Sequence, residues 1–143
     1  RKFGALDFES PELAFDRTHY YDQEFGTDLK RRFVSFKKLI PSQTLADIKI
    51  ISNNIELKLR RGTNRCVNID PGYLDQAKLV LASTKDYVHR IHLNKGIFAE
   101  ITLHYQNKSF QPWSWTYPDY QSADYIHLFN QIRDIYASQI KKQ

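Results

Sequence analysis

The sequence predicts an α+β domain in which an antiparallel sheet of about five strands packs against two main helices that cover one face. Apolar residues recur every three or four positions at about 43–60 and 122–140, whereas the residues between these segments alternate with a period of two. A chain of 143 residues with 41% hydrophobic content can build one hydrophobic core. We therefore expect a single domain over residues 1–143.

The first clear element follows 28 residues of weak periodicity. A strand is expected within 32–40, because Val34 and the neighbouring aromatic side chains favour a pleated surface, and Pro41 ends it. Ser42 is the expected N-cap of the first helix, and Gly62, just after two arginines, marks its end. The apolar stripe of this helix is predicted to be Leu45, Ile48, Ile51 or Ser52, Ile55 and Leu59.

The middle of the chain is predicted to form strands. Residues 66–69 resemble a strand that ends in a Pro71-Gly72 turn, where Gly72 would take the positive φ of a type II turn. Further strands are expected at 78–82, 87–93, 97–105 and 110–115. A three-residue hairpin loop, Asn94-Lys95-Gly96, is predicted to pair Leu93 with Ile97, Ile91 with Ala99 and Arg90 with Glu100. Ser122 then caps the second helix, whose stripe is Ile126, Phe129, Ile132, Tyr136 and Ile140.

Several functional classes are excluded by composition and motifs. The single cysteine, Cys66, cannot form an internal disulfide or a multi-cysteine zinc site, which suits a reducing cytoplasm. No stretch approaches the roughly 18 consecutive apolar residues of a membrane span, so we expect a cytoplasmic protein without a membrane partner. The phosphate loop, the dinucleotide-binding glycine motif and the serine elbow are absent.

Most of the excess positive charge lies in one block. Residues 29–65 contain ten basic and two acidic residues. Such a block attracts phosphates, and equally it is typical of a solvated helix face with strand-edge lysines that deter aggregation. In an RNA-binding protein this block would grip phosphates while Phe33, Phe36 or an exposed tyrosine stacks on bases. The candidate patch is Lys30, Arg31, Arg32, Lys37, Lys38, Arg60, Arg61 and Arg65.

A polar face on the predicted strand 97–105 is the first candidate site. Alternation places Phe98, Glu100, Thr102 and His104 together, and the hairpin register adds Arg90 and His92. An acid and two imidazoles around a fixed cation would suit acid–base chemistry or anion binding. The alternative is an exposed Arg90–Glu100 ion pair that contributes little to stability.

Other candidates flank this face. Ser83-Thr84-Lys85 follows a buried strand and could hold a phosphate with hydroxyls, backbone N–H groups and an ammonium. His89 is expected on the apolar side of its strand, where a satisfied core histidine is the commoner role. Asp70 could act as a base or could stabilise its own turn. The spacing of His92, Glu100 and His104 matches no recognised metal site, so no metal is predicted.

Larger motifs resemble a bacterial and archaeal domain-of-unknown-function family recognised by Asn-x-Asp-Pro-Gly-Tyr, which here is Asn68-Ile69-Asp70-Pro71-Gly72-Tyr73. The similarity extends over 18–26, 33–36, 45–49 with Glu56, 83–86, 89–91, 96–103 and 115–120. It implies that the chain lacks an N-terminal strand and helix, which fits the absence of methionine. Some relatives carry a GTP-binding label, but the chain lacks the corresponding nucleotide motifs.

We therefore expect a polar pocket for an anionic, phosphate- or nucleotide-like small molecule, with acid–base or hydrolytic chemistry as an added role. Lys85 and Arg90 would bind the anion, Glu100 and Asp70 would be the acid–base groups, and His89 or His104 would carry a proton. Further ligand-binding candidates are Asn68, Thr102, Tyr117 and Asp119. The alternatives are a non-catalytic RNA-binding module that uses the basic block 30–65 and a protein-interaction subunit. Cofactors, substrate and oligomeric state are not predicted.

Overall fold

The structure is a computed structural model that describes residues 2–15, 25 and 28–142. Two helices are α1 (Leu45–Lys58) and α2 (Ala123–Ile140). The strands are β1 (Leu6–Glu9), β2 (Leu13–Ala14), β3 (Lys30–Arg31), β4 (Val34–Phe36), β5 (Gly72–Leu74), β6 (Lys78–Ser83), β7 (Arg90–Asn94), β8 (Ile97–Gln106) and β9 (Ser109–Pro112). The part of the family-like pattern at 18–26 lies outside the described residues, except for Phe25.

The main sheet has five antiparallel strands, which confirms the predicted α+β fold. Its order is β5-β6-β8-β7, and β9 pairs with the second half of β8. Two smaller antiparallel pairs, β1 with β4 and β2 with β3, are formed by the N-terminal third of the described chain. The predicted strand 32–40 is therefore confined to Val34–Phe36, and residues 66–69 form no strand.

The helices pack on opposite faces of the main sheet, so the expectation that both cover one face is wrong. Leu79 belongs to a core cluster with Phe129 of α2, whereas Val80 belongs to a cluster with Leu45 of α1. Because Leu79 and Val80 are consecutive on β6, their side chains point to opposite faces. The sheet is consequently the middle layer of three.

Helix α2 follows its prediction, whereas α1 differs in its cap and its buried face. Ser122 accepts a hydrogen bond from the Tyr125 N–H as the N-cap of α2. Ser42 instead begins a short 3₁₀ turn, Ser42–Thr44, that leads into α1. Gly62 does have a positive φ of 63°, but it lies in the turn between Arg61 and Asn64, beyond the end of α1.

The face of α1 that is most buried is partly polar. Lys49, Ser52 and Glu56 are buried with Leu45 and Ala46, while the expected isoleucines are only half-buried and Leu59 is exposed. Similarly, α2 buries Tyr125 and Leu128 with Phe129 and Ile132, leaving Ile126, Tyr136 and Ile140 half-buried. The apolar spacing therefore locates both helices but does not define which face of α1 is covered.

The β7–β8 hairpin has the predicted register at its centre but a different turn. Arg90 pairs with Glu100 and Ile91 with Ala99, as predicted. Asn94 rather than Leu93 pairs with Ile97, and the register shifts at Leu93. Lys95 and Gly96 both have positive φ, 54° and 72°, as a two-residue type I′ turn requires. The turn is thus shorter than predicted, and the bulge at Leu93 restores the register.

A second irregularity divides the predicted polar face of β8. Leu79 pairs with Leu103 and Val80 with Ile101, so Thr102 is an extra residue in β8. Such a bulge reverses the alternation beyond it. His104 therefore lies on the face of Ile101, away from Glu100, and its ring packs 4.0 Å from Trp113. His92 pairs with Phe98 on the face of Arg90 and Glu100, as predicted, and contacts the Phe98 ring at 5.1 Å.

A candidate ligand-binding cavity

A cavity of about 730 Å³ lies between α1, the strand ends of β6 and β7 and the segment that joins β9 to α2. This volume is in the range of small-molecule sites. Seven of the predicted site residues line it: Asn68, Asp70, Lys85, Arg90, Glu100, Tyr117 and Asp119. His89, Thr102 and His104 do not belong to its lining.

Arg90 connects three segments of the cavity wall. Its Nε donates to Glu100 Oε1 at 3.3 Å, and its Nη1 donates to the Lys85 carbonyl oxygen at 2.9 Å and to Ser83 Oγ at 3.4 Å. Its Nη2 donates to the Tyr117 hydroxyl at 3.3 Å. Most of the guanidinium is therefore directed at protein atoms, and its main effect is to hold the 83–85 turn in place.

Glu100 is a buried carboxylate, with only 3% of its surface exposed. His89 Nε2 lies 2.6 Å from its Oε1, and the Thr102 hydroxyl donates to its Oε2 at 3.3 Å. An ionised carboxylate only accepts hydrogen bonds, so the contact requires a proton on His89 Nε2. The Arg90–Glu100 pair thus lies in the interior rather than on a solvated sheet face.

His89 reaches Glu100 because it precedes β7, which begins at Arg90. Strand alternation does not apply to it, and its expected position beside Ile91 on the apolar side is wrong. Its ring stacks on Trp115 at 5.4 Å, and Trp115 stacks on Trp113 at 5.1 Å. The Trp115 indole N–H donates to the Ile101 carbonyl oxygen, so the ring against which His89 packs is itself fixed.

The 68–73 motif is held by two buried polar side chains of α1. Glu56 Oε1 accepts a hydrogen bond from the Ile69 N–H at 2.6 Å, and Lys49 Nζ donates to the Ile69 carbonyl oxygen at 3.1 Å. Glu56 Oε2 also accepts from Arg65 Nη1 at 3.2 Å. A loop without strand pairing thereby obtains partners for its backbone groups.

Sequence reasoning did not select Lys49 or Glu56 as site residues. Their signal is the spacing: Leu45, Lys49, Ser52 and Glu56 recur at intervals of four, three and four, which places them on one helix face. A polar pair on the same face as a buried leucine would have predicted a buried polar contact.

Asp70 faces the cavity from this loop, and its side chain is 40% exposed. Its Oδ2 accepts a hydrogen bond from Asn68 Nδ2 at 2.9 Å, and its Oδ1 lies 3.7 Å from Lys49 Nζ. Gly72 has no positive φ, so the predicted type II turn is wrong. It is instead required by close packing, since a Cβ there would lie 2.4 Å from the Val80 carbonyl oxygen.

Asp119 forms an ion pair with Arg31 at another part of the wall. The Arg31 guanidinium also lies 4.1 Å from the centre of the Phe15 ring. Burial by itself lowers the pKa of Arg31, but Tyr120 and Asp119 outweigh it and the net shift is upward. Burial raises the pKa of Tyr120 well above 10, so both groups keep their protons at physiological pH.

The basic block is shared between the cavity and the outer surface. Arg31, Arg60 and Arg65 line the cavity. Arg32 bonds to Glu9 and Glu12 on the surface, where Lys30 lies 3.5 Å from Glu12. The exposed residues of the block that do not line the cavity include Lys37, Lys38 and Arg61. Phe33 packs its ring against Tyr120, Tyr125 and Phe129 and is not presented for base stacking.

Within the described part of the chain, no group of three or more His, Cys, Asp or Glu side chains could hold a metal ion. No helix there has the length and apolar character needed to cross a membrane.

Comparison with known proteins identifies a family but no characterised relative. No curated protein and no solved structure matches the chain significantly. A family model described as a domain of unknown function, DUF4416, matches residues 1–136, nearly the whole chain. The protein therefore belongs to the DUF4416 family.

Proposed function

We propose that this protein is cytoplasmic and that its cavity binds an anionic small molecule that carries a phosphate group. The observation that carries the proposal is the charge of the lining. Among the described lining residues six are basic, Arg31, Lys49, Arg60, Arg65, Lys85 and Arg90, and four are acidic, Glu56, Asp70, Glu100 and Asp119. The formal excess is two positive charges in a concave site, where low-dielectric walls concentrate the field.

The acidic side chains do not oppose this role, because each lies beside a different cation. Glu56 pairs with Arg65 at 3.2 Å, Glu100 with Arg90 at 3.3 Å and Asp119 with Arg31, while Asp70 is 3.7 Å from Lys49. Such pairs fix long basic side chains in one orientation. The lining as a whole keeps its formal excess of positive charge, which favours a phosphate.

The roles of the basic residues follow from their contacts. Arg90 uses most of its N–H groups on protein atoms and mainly positions the wall. Arg60 is exposed at the end of α1 and reaches the cavity, with no ion pair to a described residue. Arg60 is therefore the basic side chain that we expect to contact the anion directly, and Lys49 and Lys85 line the same cavity.

Arg60 and Arg61 provide a matched test, because they are adjacent, exposed and equally charged, and only Arg60 lines the cavity. Calorimetric titration would use inorganic phosphate, fructose 6-phosphate and GTP; the GTP-binding label in the resembling family motivates the last. Arg60→Ala should weaken the binding of a phosphate compound about tenfold, the effect of one charge-assisted hydrogen bond. Arg61→Ala should leave it within about twofold. Equal effects of the two variants, or no binding by any compound, would overturn the proposal.

We also propose that Glu100 and His89 perform acid–base chemistry on the bound molecule. Glu100 lines the cavity and would take a proton from the ligand, while the His89 Nε2–H group, 2.6 Å behind it, holds the carboxylate in place. Glu100→Gln should keep ligand binding and stop turnover. Phosphorus NMR of the bound compound measures the turnover. If the wild type turns over none of its ligands, the protein binds without catalysis.

The RNA-binding alternative would rely on exposed basic side chains outside the cavity, such as Lys37, Lys38 and Arg61. It predicts that a Lys37→Ala, Lys38→Ala double variant weakens binding to mixed RNA, with a steep salt dependence, while Arg60→Ala has no larger effect. Filter binding at low and moderate salt distinguishes it from the cavity proposal.

The interaction alternative is favoured by apolar side chains beside the edge strand β7. Val88 is 93% exposed and Ile91 is 69% exposed. Light scattering that finds a monomer with no copurifying partner would count against this alternative.

A further inference from the structure

We propose that the phosphate compound bound in the cavity also carries a planar aromatic ring, which packs on Tyr117 and bonds through its polar edge to Asn53. Nucleotides and flavin mononucleotide have this chemistry. The ring adds the class of molecule to the proposed phosphate binding, on which this inference rests. It follows from the uncharged residues of the lining.

Tyr117 presents an aromatic ring to the cavity. It lies in the segment that joins β9 to α2, it lines the cavity, and it is 54% exposed. Its ring stacks on no other ring among the described residues. An exposed ring in a site with excess positive charge is the platform on which the bases of nucleotides stack.

This ring is held in place by the wall of the cavity. The Tyr117 hydroxyl accepts a hydrogen bond from Arg90 Nη2 at 3.3 Å. The same guanidinium donates to the Lys85 carbonyl oxygen and to Ser83 Oγ, which anchors it to the turn after β6. A ligand that packs on a ring already fixed in this way loses little free energy to ordering it.

Other walls of the cavity add apolar surface. Leu57 of α1 is exposed and lines the cavity, and Leu81 and Ala82 line it from β6. A planar ring has two apolar faces that can cover such side chains. The hydroxyl groups of a sugar cannot cover them without losing hydrogen bonds to water. The uncharged lining therefore favours a phosphate compound with a ring over a simple sugar phosphate.

Asn53 supplies a polar group for the edge of the ring. It is half-buried and lines the cavity, and it shares one face of α1 with Lys49 and Leu57, each four residues away. Its side-chain amide makes no hydrogen bond to a described residue. An amide offers two donors and one acceptor, which suits the mixed donors and acceptors on the edge of a nucleobase or a flavin.

The experiment compares phosphate compounds with and without the ring by calorimetry at fixed ionic strength. The pairs are AMP and GMP with ribose 5-phosphate, and flavin mononucleotide with ribitol 5-phosphate. Both members of a pair carry one phosphate, so the ring is what differs. At least one compound with a ring should bind about tenfold or more tightly than its counterpart, the effect of one ring stacked on an aromatic side chain. The two pairs distinguish a nucleobase from a flavin.

Variants of Tyr117 test the stacking. Tyr117→Leu should weaken binding of the compound with a ring about tenfold and leave its counterpart within about twofold. Tyr117→Phe loses only the hydroxyl that bonds to Arg90, so it should stay within about threefold of the wild type. Tyr87→Leu is the control, because Tyr87 is an exposed tyrosine that does not line the cavity. Circular dichroism of each variant checks folding.

Asn53 and Asn54 form a second matched pair. They are adjacent on α1 and have the same side chain, and only Asn53 lines the cavity. Asn53→Ala should weaken binding of the compound with a ring about fivefold, whereas Asn54→Ala should leave it within about twofold. Equal effects of these two variants, or of Tyr117→Leu and Tyr87→Leu, would overturn the inference.

The two proposals fail differently. If phosphate compounds bind but those with a ring stay within about threefold of their counterparts, the ring is wrong and phosphate binding stands. If no phosphate compound binds, the proposed function fails and this inference fails with it.

Discussion

Glu56 should be among the most costly residues of α1 to replace, because its carboxylate binds the backbone of the 68–73 motif. The side chain is 5% exposed, accepts from the Ile69 N–H at 2.6 Å and pairs with Arg65 at 3.2 Å. A hydrogen bond to a buried charged group contributes about 1.5–3 kcal/mol, and a partly exposed ion pair about 0.5–1 kcal/mol. Glu56→Ala should therefore lower the free energy of unfolding by about 2–4 kcal/mol.

Urea unfolding followed by circular dichroism measures this loss. Asp47→Ala is the matched control, since Asp47 is an acid on the same helix whose ion pair with Lys95 is exposed on both sides. It should cost less than about 1 kcal/mol. Glu56→Gln should fall between the two, because its amide oxygen can still accept from Ile69 but its NH₂ group faces the Arg65 guanidinium. If Glu56→Ala costs no more than Asp47→Ala, this carboxylate does not hold the motif.

Three further predictions concern stability. Gly72→Ala should cost about 3 kcal/mol in thermal unfolding, because the new Cβ would lie 2.4 Å from the Val80 carbonyl oxygen; a loss below about 0.5 kcal/mol would contradict that close approach. Burial raises the pKa of Asp75, but bonds from the Lys78 ammonium and two backbone N–H groups outweigh it, so the folded pKa lies below 3.8. Its stabilisation is present above the unfolded pKa and is lost as pH falls through the folded pKa. The gap of about 1 kcal/mol between wild type and Asp75→Ala in urea should therefore close in acid, and a gap independent of pH would be inconsistent with this. Lys108→Gly should stabilise by about 0.5–1 kcal/mol in urea, because Lys108 has a φ of 63° in the β8–β9 turn; destabilisation would refute it.

Elements with a strong local signal were predictable. Helix α2 has a periodic stripe and a serine cap, and it begins within one residue of its expected start. The interactions that define this helix join residues close in sequence, so the pattern contains the necessary information. The pairing of Arg90 with Glu100 is as predicted, but the expected three-residue loop is a two-residue turn, and the bulge at Leu93 compensates for the difference.

The bulge at Thr102 was not predictable, and it changed the candidate site most. An extra residue in a strand leaves the alternation of side-chain types unchanged in the sequence but reverses the faces beyond it. His104 therefore moved away from Glu100. His89 was expected among apolar residues. It contacts Glu100 instead, because β7 begins at Arg90, one residue after His89.

The sequence by itself determined an α+β domain, its two helices, most of its strands and a set of polar residues that carry the family motif. Only the tertiary structure decided that the loop at 65–70 lies on Lys49 and Glu56, and that Arg60, Asp70, Lys85 and Glu100 line one cavity. The physical reason is that a buried polar contact between a helix and a loop requires only complementary donors and acceptors. These leave no periodic pattern in the chain, so the packing of the sheet and helices determines which of them meet.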